Sequence, residues 1–575
     1  MHSNYNEMRL NGQLCDGVIK TSDGGRFLVH RVVLGAFSPY FRAYFTNSLG
    51  QEGREIGEMT IDDEPKDIVA AIVECAYTGT CAVNVHNAQA LMVAADRFSC
   101  ESLVKHCADF IGKQISFDNF ASMLRFARNY LFRDLEVKVW QFGWDQMEEL
   151  MNSSEFLTLT ADELSELLSA DELNVKQEEV VFEAIDRWIR NDPESRRHSL
   201  AQLLRSIRFA LLSGEFYNQR IKNYPYNTEE SLDLLLTIDT LFDSENDSFY
   251  FYCHHRPRIP NEVVFTIGGW SDGYPTDAIE TYDKRSDSWY LSHMKDQKIR
   301  AYHGVVVLDK LIYIIGGFNG SEYFSTMHCY DPVTYKWTEK ACMHDVRCYI
   351  SVATLGGEIY AIGGYNGRTR LNTAEKYNPL INQWTMIAPL NKIRSDASAA
   401  SLFGKIYVAG GFDGGEVMRS AEVYTPESDS WLFVDYMTVP RSGVNLISHG
   451  SYIYALGGYD GVNRLYSCER YNPVYNRWDQ IADMQNPRSN LSSVIVDNSI
   501  LVIGGFDGTS TVACTEFYNQ EEDKWFESAS MNINKSALAA CVVRGLPNAK
   551  SYTFLGIGVD PAVESAGGEW IVIKM

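Results

Sequence analysis

The sequence lacks most features that would indicate a metal-binding, nucleic-acid-binding or membrane protein. Its 575 residues include 12 cysteines, none in a Cys-x-x-Cys pair, so neither a zinc site nor a disulfide framework is expected. The formal net charge of −24 argues against general binding to nucleic acid or acidic membranes. No apolar run approaches the roughly 20 residues of a membrane span, and the N-terminus is polar, without an apolar signal segment. We therefore expect a cytoplasmic protein with no metal, no cofactor, no nucleic-acid partner and no membrane partner.

The second half of the chain repeats one pattern six times, with a period of 47 residues and once of 48. Each unit has a Gly-Gly pair, a tryptophan 20 residues after the second glycine, and a tyrosine seven residues before that tryptophan. Short apolar segments around glycine turns predict four strands per unit, as in the blades of a β-propeller. The first unit begins at 263–267 without a preceding strand, and residues 538–543 are left over after the sixth. We expect this last strand to complete the first blade and close the circle.

This repeat resembles the kelch motif. Five units also carry a glutamate two residues before the tyrosine, whereas the second unit has His328 there. The resemblance implies that the paired glycines lie where blades crowd the backbone and that the aromatic residues fill the space between blades. Residues 263–545 are therefore expected to form an all-β, six-bladed kelch propeller, and no role is assigned to the tail at 546–575.

The N-terminal region has a different pattern. Residues 18–20 and 27–29 flank a turn with two glycines, which predicts a β-hairpin, and helical segments follow. With Asp16, His30-Arg31 and Tyr77-Thr78-Gly79, the region 1–111 resembles a BTB/POZ domain. The resemblance implies a homodimer, with Asp16, His30 and Arg31 as a charged cluster beneath the dimer interface. An ordinary structural ion pair between Asp16 and Arg31 is the alternative.

Residues 112–245 are predicted to be helical. Asn174 with Gln177 fits a capping box, and Asp192-Pro193 ends the apolar helical pattern that follows. The region resembles the BACK domain, and residues 246–262 would form a linker to the propeller. The predicted fold class is therefore multidomain, with an α+β BTB/POZ domain, an all-α BACK domain and an all-β propeller.

The order BTB, BACK, kelch resembles that of the kelch-like family. The resemblance implies a non-catalytic substrate adaptor of a cullin-3 ubiquitin ligase, in which BTB and BACK bind cullin-3 and the propeller holds the protein to be ubiquitinated. The family's hydrophobic-x-Glu motif for cullin binding aligns with Leu49-Gly50-Gln51, and Glu52 lies one place late. We assign Leu49, Gln51 and Glu52 to the cullin contact, with Gln51 keeping hydrogen-bonding capacity but losing the charge.

Two further sets of residues share the repeat's period and predict the substrate face. A basic residue occurs between successive units, and an aromatic residue follows each Gly-Gly pair. Six cations on one rim of an acidic chain predict a partner with an acidic segment, for which the aromatic residues would be apolar anchors. The alternative is that the cations bond to neighbouring blades and the aromatic residues pack the loops. The cations are Arg300, Arg347, Arg394, Arg441, Arg488 and Lys535, and the aromatic residues are Trp270, Phe318, Tyr365, Phe412, Tyr459 and Phe506.

Two other functional classes are compatible with parts of this sequence pattern. A structural kelch protein that binds actin or another part of the cytoskeleton would have the same domains. An enzyme would need converging acids with a nucleophile, or a His, Cys and Tyr set for a metal, and the repeats contain neither. No catalytic or metal-binding residue is therefore assigned.

Overall fold

The computed structural model describes residues 2–46, 57–243, 258–295 and 298–553. The chain divides into two compact units, residues 1–256 and 257–575, which are described separately. The predicted cullin-contact residues Leu49, Gln51 and Glu52 lie outside the described residues, as does most of the predicted linker.

The first unit begins with a small sheet among helices. Strand β1 (Gly17–Thr21) pairs antiparallel with β2 (Arg26–Val29) and parallel with β3 (Gly57–Ile61), which gives the order β2-β1-β3. The predicted hairpin is present, with Val18 opposite Leu28. The elements are α1 (His2–Leu10), β1 (Gly17–Thr21), β2 (Arg26–Val29), α2 (Arg31–Phe37), α3 (Pro39–Thr46), β3 (Gly57–Ile61), α4 (Lys66–Thr78), α5 (Ala88–Arg97) and α6 (Glu101–Gly112).

Helices form the rest of the first unit. One hydrophobic cluster extends from Ile19 in β1 to Ile238, so the predicted BTB and BACK regions share a continuous core. A π-helical segment, Tyr217–Lys222, follows α14. The helices are α7 (Phe120–Asn129), α8 (Arg133–Asp145), α9 (Met147–Leu150), α10 (Ala161–Ser169), α11 (Glu179–Asn191), α12 (Pro193–Arg196), α13 (Leu200–Leu204), α14 (Gly214–Phe216) and α15 (Glu229–Asp243).

The predicted capping box at Asn174 is wrong. Helix α11 begins only at Glu179, and the Asn174 side chain donates instead to the carbonyl of Asp145 (3.2 Å). A capping box is present at α10, where the Thr160 hydroxyl and the Glu163 carboxylate each accept the other residue's backbone N–H. The spacing of a capping box therefore occurs at both sites, but only Thr160 directly precedes the first turn of a helix.

The second unit contains six four-stranded antiparallel sheets, the blades of the predicted propeller. Blade 1 has the order β29-β4-β7-β8, with Val543 of β29 opposite Val263 of β4, so the predicted closure by the C-terminal strand is confirmed. Blade 1 consists of β4 (Glu262–Ile267), β7 (Ala278–Asp283), β8 (Ser288–Lys295) and β29 (Ala539–Arg544), with the small hairpin β5 (Trp270–Ser271) and β6 (Tyr274–Pro275) between β4 and β7.

Blades 2 to 6 follow in chain order. Blade 2 is β9 (Gly304–Leu308), β10 (Leu311–Ile315), β11 (Met327–Asp331) and β12 (Lys336–Lys340); blade 3 is β13 (Ser351–Leu355), β14 (Glu358–Ile362), β15 (Ala374–Asn378) and β16 (Gln383–Ile387). Blade 4 is β17 (Ser398–Leu402), β18 (Lys405–Ala409), β19 (Ala421–Thr425) and β20 (Ser430–Val434). Blade 5 is β21 (Asn445–His449), β22 (Tyr452–Leu456), β23 (Cys468–Asn472) and β24 (Arg477–Ile481); blade 6 is β25 (Ser492–Val496), β26 (Ser499–Ile503), β27 (Thr515–Asn519) and β28 (Lys524–Ser528).

The repeated tyrosine and tryptophan connect neighbouring blades, as expected for core residues. In blade 4, the Tyr424 and Trp431 rings lie 5.0 Å apart, and the Trp431 indole donates to the carbonyl of Ala388 in the segment after blade 3 (2.8 Å). The Tyr424 hydroxyl donates to Asp429, whose carboxylate also accepts the backbone N–H of Ala388 (2.9 Å). Each blade boundary of this type therefore combines aromatic packing with hydrogen bonds that satisfy its polar atoms.

Blade 2 departs from this arrangement, and the C-terminal segment packs there. Tyr335 occupies the position held by Asp429 in blade 4, and the hydroxyl of Tyr330 lies 3.0 Å from that of Tyr552. Tyr552 also donates to the carbonyl of Pro332 (2.7 Å), and Leu546 and Tyr552 join the hydrophobic cluster of blades 1 and 2. Residues 546–553, to which the sequence assigned no role, are thus part of the folded propeller unit.

Candidate partner-binding face of the propeller

The Gly-Gly pairs bring two distant parts of each repeat into contact. In blade 3, a Cβ on Gly363 would lie 2.5 Å from the carbonyl oxygen of Arg394, and the N–H of Gly364 donates to that same oxygen (2.8 Å). Both glycines have positive φ, of 60° and 96°, which residues with side chains adopt only at a cost. The predicted close approach of backbone at these glycines is confirmed, and its partner is the carbonyl of a residue in the basic ring.

The basic ring does not form a positive rim, which corrects the sequence prediction. All six side chains are 1% exposed or less, and five of them form ion pairs with the repeated glutamates. Because both charges are buried together, the ring offers no cation to a partner. The pairs are Arg347–Glu375 (3.0 Å), Arg394–Glu422 (2.9 Å), Arg441–Glu469 (2.9 Å), Arg488–Glu516 (2.5 Å) and Lys535–Glu280 (2.9 Å), and Arg300 lies 3.3 Å from His328.

Arg441 shows why these cations are structural. Its Nε and Nη2 donate to Glu469, and its Nη1 donates to the carbonyls of Gly457 (2.8 Å) and Ser467 (2.7 Å). Nη2 also donates to the Ser467 hydroxyl (3.0 Å), so every N–H of the guanidinium has an acceptor. At the equivalent positions, burial lowers the pKa of Arg394 and of Lys535 while the partner glutamates oppose that shift.

The aromatic residues after the Gly-Gly pairs are half-buried, so part of each ring remains accessible. Their backbones form short bridges to the residue after the buried cation, for example Phe412 to Ser395. Their role in partner binding remains a prediction. The set consists of Trp270, Phe318, Tyr365, Phe412, Tyr459 and Phe506.

Two arginines that the sequence analysis did not select lie among these rings. The Arg370 guanidinium is 5.3 Å from the Tyr365 ring centre and 4.6 Å from that of Phe412. Arg464 lies 4.1 Å from Tyr459 and 5.2 Å from Phe506 in the same way. Both arginines are half-buried rather than enclosed, so cations stacked on aromatic residues do occur on this face, in blades 3 and 5.

A second ring of residues surrounds the propeller axis, two positions after each buried cation. Each has positive φ, and its backbone N–H donates to the carbonyl of the ring residue in the preceding repeat, with N to O distances of 2.7 to 3.1 Å. The six bonds form a closed circle. The 47-residue period could have identified this axial ring, since its members share the phase of the basic residues. They are Tyr302, Tyr349, Asp396, Gly443, Asn490 and Ala537.

The axial ring forms the wall of a cavity of about 230 Å³. The ring centres of Tyr302 and Tyr349 lie 4.2 Å apart. Each ring also lies near an aromatic residue of the face, since Tyr302 is 6.4 Å from Trp270 and Tyr349 is 6.5 Å from Tyr365. Asp396 is the one acidic member of the axial ring. Burial raises its pKa to about 7, although the Asn490 amide (3.2 Å) and the charge of Arg370 oppose that shift.

The predicted dimer cluster in the first unit is a compact polar group. The Asp16 carboxylate accepts the backbone N–H of Arg31 (2.8 Å) and its Nε (3.1 Å). Burial acts to raise the pKa of Asp16, but these bonds from Arg31 leave it below its ordinary value. His30 is buried, with Nδ1 2.8 Å from the Tyr77 hydroxyl and Nε2 2.9 Å from the Gln13 carbonyl. The ion pair is present, whereas its place in a dimer interface remains a prediction.

No other class of site emerges from the described ranges. Among the residues placed by the structure, no group of three or more His, Cys, Asp or Glu side chains could hold a metal ion. The helices described above include none that is both long and apolar enough to cross a membrane.

Comparison with known proteins identifies three kinds of module. The BTB/POZ domain matches residues 5–115, and the domain described as "BTB And C-terminal Kelch" matches residues 120–222. The Kelch motif matches residues 299–344, 347–391, 393–438, 440–485 and 487–532. All strands of blade 1, which is assembled from both ends of the propeller, lie outside these matches.

Two proteins with similar sequences are named as kelch-like proteins. Kelch-like protein 28 from Mus musculus and from Homo sapiens are each 34% identical over 362 residues, which cover 59% of this chain and 61% of the relative. The chain thus spans less than two thirds of these relatives, and it contains BTB, BACK and kelch modules in that order.

Proposed function

We propose that this chain, which has the modules of the kelch-like proteins in their order, is a substrate adaptor of a cullin-3 ubiquitin ligase in the cytoplasm. The observation that carries the proposal is the combination of a BTB–BACK unit with a closed propeller that has an aromatic face around an axial cavity. The chain itself performs no chemistry in this proposal. It raises the effective concentration of a bound protein near the ligase's catalytic partner.

The BTB–BACK unit would bind cullin-3. Its continuous core supports a rigid platform, and a cleft of about 460 Å³ lies between α5, α6 and the segment that leads into α8. Leu131 lines this cleft, is 84% exposed and has a φ of 58°. We propose that cullin-3 covers this cleft, with Leu131 as an apolar contact.

The test is calorimetric titration of the full chain with the N-terminal domain of cullin-3. We expect Leu49→Asp to weaken binding by at least ~2 kcal/mol, about thirtyfold in Kd, because it places an unpaired charge in the interface. Leu131→Asp tests the cleft in the same way. Leu380→Asp is the matched control, since Leu380 is 93% exposed on the propeller and the charge change is identical.

Absence of binding by the unmodified chain would overturn the adaptor proposal. Co-sedimentation with actin filaments, together with no cullin in a pull-down, would instead support a cytoskeletal kelch protein. Equal weakening by all three variants would show that added charge, rather than the proposed contact, causes the effect.

The prediction that the partner has an acidic segment now depends on fewer cations of the propeller face. The six buried cations no longer support it, and Arg370 and Arg464 are the cations that the structure places among the face aromatics. We propose that a partner carboxylate would pair with one of these two guanidiniums.

Within the family, residues 267–271 and 300–304 resemble kelch-like protein ten, whereas the relatives named above are kelch-like protein 28, so we propose membership only at the level of the family.

A further inference from the structure

The axial cavity contains an acidic residue that the predicted face did not include. Asp396 belongs to a ring whose other members are two tyrosines, an asparagine, a glycine and an alanine. In the described part of the chain its carboxylate accepts one side-chain hydrogen bond, from Asn490 (3.2 Å), and forms no ion pair. A carboxylate has room for about four hydrogen bonds, so it can accept further donors from a ligand.

The cation whose charge acts on this carboxylate, Arg370, makes its own contacts elsewhere. Arg370 opposes the rise in the pKa of Asp396 by its charge, but its Nε donates to the Ser395 hydroxyl (2.9 Å). Its guanidinium stacks on the Tyr365 and Phe412 rings. The negative charge of Asp396 is therefore not neutralised by a direct contact, and burial among polar and aromatic groups makes that charge costly without a partner.

The aromatic surroundings favour a positively charged partner. In the axial ring Tyr349 adjoins Asp396 and Tyr302 adjoins Tyr349. The two tyrosine rings also lie near the face aromatics, Tyr302 at 6.4 Å from Trp270 and Tyr349 at 6.5 Å from Tyr365. The faces of aromatic rings attract cations, and a carboxylate binds the N–H groups of guanidinium or ammonium strongly. The cavity of about 230 Å³ would hold roughly eight waters at ~30 Å³ each, which is enough space for the end of one long side chain.

We infer that the axial cavity binds the side chain of a lysine or arginine from the partner protein, with Asp396 as its counter-charge and Tyr302 and Tyr349 as its aromatic walls. The inference rests on the proposed function, since it describes what the substrate face recognises. A partner segment would then place a basic residue on the axis, and its carboxylates could pair with Arg370 or Arg464 beside the face aromatics.

The test uses the full chain and two small probes, N-acetyl-arginine amide and N-acetyl-citrulline amide, titrated by ligand-observed NMR. Citrulline has nearly the shape of arginine but no charge. We expect the arginine probe to bind about tenfold more tightly, as a charge-assisted hydrogen bond in a half-buried site would give. Asp396→Asn should abolish this preference, because asparagine keeps the size and tolerates the φ of 53° at this position.

Glu416→Gln is the matched control, because Glu416 is an exposed acid of the neighbouring blade loop and the variant loses the same charge. The preference for arginine should also strengthen between about pH 6 and about pH 8, as Asp396 ionises around its raised pKa. The other titrating groups around the cavity do not change in this window: burial raises the pKa of Tyr302 to about 12 and that of Tyr349 and Cys348 further, and lowers that of His303 to about 3.

Equal binding of the two probes by the unmodified chain, at both ends of this pH range, would overturn the inference, and this comparison does not depend on any variant folding. Loss of the preference in Glu416→Gln as well would also overturn it, since the effect would then follow net charge. Neither result affects cullin-3 binding. Conversely, a chain that prefers the arginine probe but does not bind cullin-3 would retain the axial site and lose the adaptor function.

Discussion

Replacement of Glu469 by alanine tests whether the cation ring is structural. The Glu469 carboxylate accepts Nε and Nη2 of Arg441 at 3.0 and 2.9 Å, and also the backbone N–H of Thr438 (2.7 Å). Both charged side chains are fully buried. The variant would leave a buried guanidinium without its counter-charge, which costs about 3–5 kcal/mol. Because a domain is stable by only about 5–15 kcal/mol, we expect a large fall in the melting temperature of the propeller.

The control for this experiment is Glu358→Ala. Glu358 pairs with Lys376 at 2.9 Å in blade 3, but the two side chains are 23% and 36% exposed, so we expect a loss of at most ~1 kcal/mol. Melting is followed by tryptophan fluorescence, since Trp478 packs on Tyr471 in the same blade as Glu469. If Glu469→Ala melts like the unmodified chain, the ring is not a set of essential buried pairs, and the structural interpretation is refuted. By the same reasoning, Arg347→Ala with Arg394→Ala should destabilise the propeller rather than selectively weaken partner capture.

Two further predictions concern other parts of the molecule. Residues 1–256, which contain the whole shared core, should form a two-fold dimer, and light scattering that shows a monomer at tens of micromolar would contradict this. In blade 2, burial first and then the charge of Arg300 lower the pKa of His328 to about 4. Because this pKa is lower in the folded than in the unfolded protein, neutral His328 favours the folded state at pH values above the unfolded pKa of about 6.5. That contribution to the free energy of unfolding is lost as the pH falls from about 6.5 to about 4. His328→Gln should therefore lose less stability than the unmodified chain in acid melts, and identical pH profiles would argue against a buried neutral His328.

The repeat pattern predicted most of the propeller because each of its signals has a local physical cause. The Gly-Gly pair marks a close backbone approach, the tyrosine and tryptophan mark the blade boundary, and the unmatched strand at 538–543 marks the closure. These features follow from sterics and packing, which have similar sequence requirements in every blade.

The basic residues were misplaced for a reason that sequence spacing cannot resolve. An arginine with a 47-residue period is compatible with an exposed rim and with a buried pair, and the partner glutamate lies 28 residues away in sequence. That glutamate has the same period, so the two sets together would have indicated pairing. The face arginines Arg370 and Arg464 were missed because they occur in only two blades, and Asp396 because the axial ring has no residue type in common.

The closed circle of axial hydrogen bonds has a consequence for the order in which the propeller folds. The bond from Tyr302 to Ala537 (3.0 Å) joins the two ends of the circle, and closing a loop of about 235 residues costs roughly 5 kcal/mol of chain entropy. This cost disfavours early formation of this bond and of the pairing of β29 with β4, and it falls once the intervening repeats have brought the chain ends together. We expect closure to be a late step, preceded by partial rings whose open strand edges can pair with other chains.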